Sequence, residues 1–270
     1  MVVFPNAKIN LGLKVTEKRN DGFHNLETCF YPVLWKDALE VIESTKTQFT
    51  STGIEVPGKV EDNLCVKAYK ILAKDYSLPP VAMHLHKSIP IGAGLGGGSS
   101  DASFALKAIN EVFNLFLDPE ILMQYAAELG SDCPFFVENK PVLARGKGNI
   151  FEPINLDLSA YFVIIVFPGI HVSTAGAFSK ISPSEPKINL KEVLENTSPE
   201  MWKNYLVNDF EESVFADFPQ IAKIKDTLYK SGALFSSMSG SGSAVFGIFD
   251  KKPQLESDLF AGYIIWEGKL

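Results

Sequence analysis

Residues 90–102 read PIGAGLGGGSSDA, and no other stretch constrains the chain as strongly. Gly92, Gly94, Gly96, Gly97 and Gly98 fall within it, followed by Ser99, Ser100 and Asp101, and a helical pattern begins at once. Glycine admits positive φ and has no side chain to hold a ligand away from the backbone. A glycine run that opens a helix lets several N–H groups converge on one anion, helped by the partial positive charge of the helix N-terminus. A flexible linker has a similar composition. A linker, however, has no reason to stop at a helix start between two well-patterned elements. The stretch is expected to cradle phosphate.

Two common cradles do not fit it. Gly92, Gly94 and Gly97 satisfy G-x-G-x-x-G, but a dinucleotide site needs a fully buried strand before it and an acid about 20 residues on, at the end of a second strand. The preceding residues, Val81-Ala82-Met83-His84-Leu85-His86, alternate apolar and polar, as a strand with one wetter face does. Glu111 and Asp118, the acids at the right distance, fall in or just after a helix. The lysine-bearing P-loop fails too, because no Gly-Lys-Ser/Thr occurs in the chain.

Bulk properties narrow the class. At 270 residues the chain is one large domain or two small ones, and 46% hydrophobic with 21% charged residues is a globular composition. A net charge of −7 argues against a nucleic-acid partner. It leaves a nucleotide open, because a few local N–H groups and a magnesium ion outweigh a distant acidic surface. Cys29, Cys65 and Cys133 have no C-x-x-C spacing and are expected to be buried thiols in a reducing compartment. MVVFPNAKIN lacks the basic and apolar segments of a signal peptide. The longest apolar stretch, residues 160–167, is too short to span a bilayer. A cytoplasmic protein with no membrane partner is the expectation.

Along the chain, Ile9, Leu11 and Leu13 alternate with Lys8, Asn10 and Gly12, which puts Lys8 and Asn10 on one face of a strand. Taken alone, Lys8 is as readily the wet side of that strand as a functional group. Asp21-Gly22 signals a hairpin turn with Phe23 and His24 just beyond it. Asp62 reads as the N-cap of a helix through about Tyr76. His84 and His86 share a strand face, yet no third metal ligand accompanies them. Asp118-Pro119 opens a second helix that Gly130 ends, and Asp132 follows, electrostatically ill placed if it only solvates the surface. The pattern changes near residues 152–157, where a domain boundary is placed at 155/156. A helix from about Pro219 ends before Gly232, and residues 237–247, rich in Gly and Ser, read in isolation as a plain hairpin between Leu234-Phe235 and Val245-Phe246.

The loop from Pro90 to Ala102 resembles the second signature of the GHMP kinases, which act on galactose, homoserine, mevalonate and phosphomevalonate. Residues 5–13 resemble the first signature of that family and residues 237–247 the third. Gly130-Ser131-Asp132-Cys133-Pro134-Phe135-Phe136 resembles the segment that carries the catalytic aspartate. Asp21-Gly22-Phe23-His24 is similar to a branch that phosphorylates the 2-hydroxyl of a methylerythritol unit bearing a cytidine diphosphate group, in the non-mevalonate isoprenoid precursor pathway. The resemblance implies an α+β, two-domain fold. Its N-terminal part is like domain 2 of ribosomal protein S5, its C-terminal part is ferredoxin-like, and the active site lies in the cleft.

The resemblance also implies ATP and Mg²⁺. Pro90, Ile91, Gly92, Ala93, Gly94, Leu95, Gly96, Gly97, Gly98, Ser99 and Ser100 would hold the nucleotide, and the metal would lie near Ser99 or Ser100. Asn63 would stand by the adenine, although a plain helix start explains it equally well. Asp132 would be the base and Lys8 its cationic partner. Asn10, Phe23, His24, Gly240 and Ser241 would meet the substrate, with Phe23 stacking on cytosine and His24 bonding its edge. Two rivals remain: a superfamily kinase for homoserine, mevalonate or a sugar, and a catalytically silent nucleotide-binding regulator. The cytosine-reading segment argues against the first, and Lys8 with Asp132 against the second.

Overall fold

The alternation at residues 81–86 is realised as a strand whose Val81, Met83 and Leu85 are buried while His86 is exposed. The computed structural model describes every residue except Ser257. Its strands and helices follow in chain order. They are β1 (Val2–Val3), β2 (Asn6–Lys18), β3 (His24–Lys36), β4 (Ala38–Glu43), β5 (Gln48–Gly53), α1 (Leu64–Tyr76) and β6 (Val81–Lys87). Next come α2 (Gly97–Val112), α3 (Pro119–Leu129), α4 (Phe135–Glu138), β7 (Val142–Arg145), β8 (Ile150–Pro153) and β9 (Phe162–Phe167). The chain finishes with α5 (Thr174–Ser179), α6 (Leu190–Asn196), α7 (Pro199–Trp202), α8 (Phe210–Asp217), α9 (Pro219–Lys230), β10 (Phe235–Met238), β11 (Val245–Phe249) and β12 (Ile264–Lys269).

Two compact units emerge, and each is drawn from separated stretches. The first holds Met1–Ala7, Trp35–Ile91 and Gly96–Lys140; the second holds Lys8–Leu34, Gly92–Leu95 and Pro141–Leu270. None of these breaks falls at the expected 155/156; the nearest is at 140/141, because β7 and β8 share a sheet with β2 and β3, and that pairing also brings residues 8–34 in with the C-terminal half. Thr28, Cys29 and Phe30 of β3 pair with Ala144, Leu143 and Val142 of β7, a long-range register that no local signal announces.

In the first unit the sheet order is β1-β4-β6-β5. Helices α1, α2 and α3 pack with it through Cys65, Ala68, Leu72, Ala105, Ile109, Leu122 and Ala126. Burying a leucine- or isoleucine-sized side chain in this way contributes roughly 1.5–3 kcal/mol. Helix α1 starts one residue later than expected. Asn63, not Asp62, is its N-cap and accepts from the Cys65 amide at 2.9 Å, because Asp62 is consumed in a 3₁₀ turn over Val60–Asp62. Two adjacent residues of capping type made the choice ambiguous in sequence. His84 and His86 bond Thr50 and Thr52 across the β5–β6 pair, and among the described residues no group of three or more His, Cys, Asp or Glu is poised to hold a metal.

The second unit contains the sheet β2-β3-β7-β8 and the antiparallel sheet β10-β11-β9-β12. Numbered within its own half, the latter runs 2-3-1-4, the strand order of a ferredoxin-like fold. Leu13 and Val15 of β2 join its core with Ile164, Val166, Phe210 and Ile224. The three cysteines are free and buried, as expected. Among the described residues no helix is long and apolar enough to cross a membrane.

Candidate active site

The glycine loop divides at residue 95/96. Gly92–Leu95 belongs to the second unit, and the rest opens α2 in the first. In the first unit Gly96 is the N-cap of α2 at φ 69°, a left-handed conformation that favours glycine, and no side chain caps the helix. The Ser100 amide makes the first turn's bond, to the Gly96 carbonyl at 2.9 Å. The amides before it lie ahead of the helical ladder and are geometrically suited to an anion. Ser99 is half-buried, whereas Ser100 is buried and its hydroxyl has no hydrogen-bond partner.

Asp132 is half-buried in the turn between α3 and α4. That turn is pinned to α2 by Ser103, whose hydroxyl donates to the Cys133 carbonyl at 2.6 Å and lies 3.0 Å from the Ser99 carbonyl. One hydroxyl thus links the backbone of a loop serine to the residue beside Asp132. Beneath the loop, Lys87 Nζ donates to Asp37 Oδ2 and to Asp101 Oδ2, the latter at 2.8 Å. Burial works against the Lys87 charge, but Asp101 and Asp37 outweigh it and hold the ammonium above its ordinary range. Burial pushes the Asp101 carboxyl up to about 7, with Lys87 opposing that rise and Asp37 reinforcing it. Asn63 spends its side-chain oxygen on the cap of α1.

In the second unit, Lys8 and Asn10 do share a face of β2, and both are almost fully buried. Lys8 Nζ donates to Asn10 Oδ1 at 2.6 Å and lies 4.8 Å above the Phe30 ring. Asn10 in turn donates to Thr28 Oγ1 at 3.0 Å. The segment Gly92–Leu95 rests on this strand, since the Lys8 amide donates to the Leu95 carbonyl at 2.9 Å. Against it sits the β10–β11 turn. Ser239 Oγ donates to the Gly94 carbonyl at 2.9 Å, and the Ala244 amide donates to the Ala93 carbonyl at 3.1 Å. A Cβ on Gly94 would collide with the Ser239 carbonyl oxygen, and Gly94 sits at φ 80°. Asn208 braces the same turn by donating to the Met238 and Gly240 carbonyls, each at 2.8 Å. Ser241 pairs with Thr174 at 3.2 Å. The residues expected to form a plain hairpin therefore do form one, and it also supports the loop.

Phe23 and His24 are placed differently from one another. Phe23 is 55% exposed, with the Lys147 ammonium 4.6 Å above its ring. His24 stacks on Phe178 at 4.9 Å with an 18° interplanar angle, and Phe178 meets Phe210 edge-on at 4.8 Å. A separate pocket of about 370 Å³ is lined by Gly12, Lys14, Glu27, Leu190 and Tyr205 among others, and includes none of the sequence-named site residues. Sequence reasoning missed Ser103, Asp37, Lys87, Phe178 and Asn208, and gave Asp101 no role although it closes the glycine–serine run. Of the five missed, only Lys87 carried a signal, as a lysine in the inward register of β6 after Val81, Met83 and Leu85.

The profile of the GHMP kinases N terminal domain matches residues 63–140, and that of the GHMP kinases C terminal region matches residues 190–261. The chain belongs to the GHMP kinases. Within that class it is 51% identical, over the full length of both chains, to the 4-diphosphocytidyl-2-C-methyl-D-erythritol kinase of Parabacteroides distasonis. It is 52% identical, again over both full lengths, to the enzyme of that name from Bacteroides fragilis. A crystal structure of 4-(cytidine 5'-diphospho)-2C-methyl-D-erythritol kinase superposes with a TM-score of 0.81 at 30% identity, covering 99% of this chain and 98% of the other. The mevalonate kinase of Methanococcus jannaschii shares the fold, with a TM-score of 0.72 at 15% identity over 99% and 97% of the two chains.

Proposed function

We propose that this chain transfers the γ-phosphoryl group of ATP to the 2-hydroxyl of 4-diphosphocytidyl-2-C-methyl-D-erythritol, giving the 2-phosphate and ADP on the non-mevalonate route to isoprenoid precursors. The observation that carries the reading is full-length identity of about half to kinases named for that substrate. The α2 amides and the β2 polar row supply groups of the kind such a transfer needs.

Phosphoryl transfer depends on positioning and charge stabilisation more than on a strong base. In this reading the backbone of residues 92–100 holds the ATP phosphates. Asp132 orients the acceptor hydroxyl; as its oxygen bonds to the γ-phosphorus and the bond to the β–γ bridging oxygen breaks, Asp132 takes the proton. Lys8 stabilises the charge that develops during transfer. Ser99, half-buried where Ser100 is enclosed, would be the residue to hold a magnesium ion. Bound magnesium supplies charge neutralisation on the phosphates. Cytosine recognition falls to Phe23 and His24, with Phe178 fixing the plane of the imidazole. Asn10, Gly240 and Ser241 contact the remainder of the acceptor.

ADP release from Mg-ATP with 4-diphosphocytidyl-2-C-methyl-D-erythritol, beside mevalonate, homoserine and galactose, tests the proposal. Turnover with the first acceptor alone is expected. Turnover with another acceptor instead would discard the cytidine reading, and ATP binding without turnover on any of them would favour a silent regulator.

A further inference from the structure

The reaction scheme makes no use of the charged cluster under α2, yet all three of its ionisable side chains are almost fully enclosed. Lys87 and Asp37 are at most 2% exposed and Asp101 is 3% exposed. Asp37 uses both oxygens: Oδ2 takes the Lys87 ammonium, and Oδ1 accepts the Ser88 and Ile89 amides at 2.6 and 2.8 Å. Asp101 is the fifth residue of α2 and gives one oxygen to Lys87, while its Oδ1 is buried without a partner. The cluster also reaches the helix start. A Cβ on Gly97 would fall 2.9 Å from Lys87 Nζ and 3.0 Å from Ile89 Cγ2.

We propose that Lys87 is a positioning residue for the nucleotide. It ties Asp101 on α2, through Asp37, to the backbone at residues 88 and 89, and so fixes the first turn of the helix at the height where its amides meet phosphate. The inference rests on the cradle reading of residues 96–100.

Net stability does not explain the cluster. Replacing a buried ion pair or triad by apolar residues of similar volume is often neutral or stabilising, because desolvation consumes the Coulombic gain. Such a cluster gives directional contacts instead: each bond is lost if α2 slides along or rotates against β6. An apolar contact under Gly97 would tolerate either movement. Phosphate recognition by amides tolerates neither, since N–H···O bonds weaken steeply away from linear geometry.

The test is steady-state kinetics with ATP and acceptor varied separately, together with amide hydrogen exchange. Lys87→Met and Asp101→Ala are each expected to raise the KM for ATP about tenfold or more, leaving the acceptor KM within about twofold. Asp101→Asn keeps an oxygen for Lys87 to donate to, and is expected to recover most of that loss. Exchange at residues 97–99 should quicken in Asp101→Ala and not in Asp101→Asn. Should Lys87→Met fail to fold, Asp101→Ala decides alone, because it leaves the Lys87–Asp37 pair in place. A folded Asp101→Ala with unchanged ATP KM, or with an equal rise in both KM values, overturns the proposal. Gly98→Ala measured alongside separates two failures: if it raises the ATP KM and Asp101→Ala does not, only the role of Lys87 falls. If neither moves it, the cradle reading falls as well.

Discussion

Two halves of a single glycine loop are held in place by different physics. Gly92–Leu95 is locked by backbone bonds from Lys8 and Ala244 and by the Ser239 hydroxyl, with the β10–β11 turn so close that Gly94 has no room for a side chain. Residues 96–100 are held by the helix they open and by side chains beneath it, Lys87 and Ile89 under Gly97 and Ser103 with its hydroxyl 3.0 Å from the Ser99 carbonyl. Beside Gly98 the nearest atom to an added Cβ is Leu64 Cδ1 at 4.0 Å, an ordinary contact. Glycine is thus fixed by an unyielding carbonyl at one position and by side chains at another, while at a third an added Cβ would meet only that ordinary contact. Under the proposed function, bound phosphate would account for the third.

Alanine substitutions turn this contrast into a ranked series. Gly94→Ala is expected to have the largest effect, costing about 3 kcal/mol or more through the Ser239 collision and the positive φ. Its thermal midpoint should drop by on the order of 10 °C, and a shift below about 2 °C would show that the interlock yields. Asn208→Ala comes next at about 2–3 kcal/mol, because it strips two carbonyls of the turn and the Phe210 amide of their partner at once. Chemical denaturation would check it, and a near-neutral result would mean that the turn holds itself. Gly97→Ala should cost only about 1–2 kcal/mol, since Lys87 and Ile89 can give a few tenths of an ångström. A loss as large as that of Gly94→Ala would erase the distinction between the two halves. Gly98→Ala should be neutral or more stable by up to about 1 kcal/mol from helix propensity, while weakening ATP binding. An unchanged ATP affinity, measured by titration calorimetry, would mean that phosphate does not approach there.

Much of this was legible in sequence because the signals are local. Alternation along residues 81–86 gave β6, Asp118-Pro119 and Gly130 gave the ends of α3, and the glycine loop marked the start of α2. Lys8 and Asn10 were placed on one face by a period of two, and the structure keeps them there. What stayed hidden depends on partners far along the chain. Nothing near Asp37 or Asn208 indicates that the first will meet Lys87 or that the second will brace a turn 30 residues later. The interleaving of the two units has the same origin, since it follows from β3 pairing with β7 across more than a hundred residues. Phe178 lies in a short helix of mixed composition, where a ring that stacks on His24 reads no differently from one that fills a core.

The buried cysteines have a chemical consequence. Burial pushes the Cys133 thiol up to about 11 and holds Cys29 and Cys65 well above their ordinary range, so hardly any thiolate exists at neutral pH to attack an electrophile. An alkylating reagent therefore gains access only when the surrounding packing opens. Cys29 lies in the second unit, whereas Cys65 and Cys133 lie in the first. Pulse labelling read by mass spectrometry would make each thiol a clock for its own unit, reporting whether the two breathe together or apart without any engineered probe.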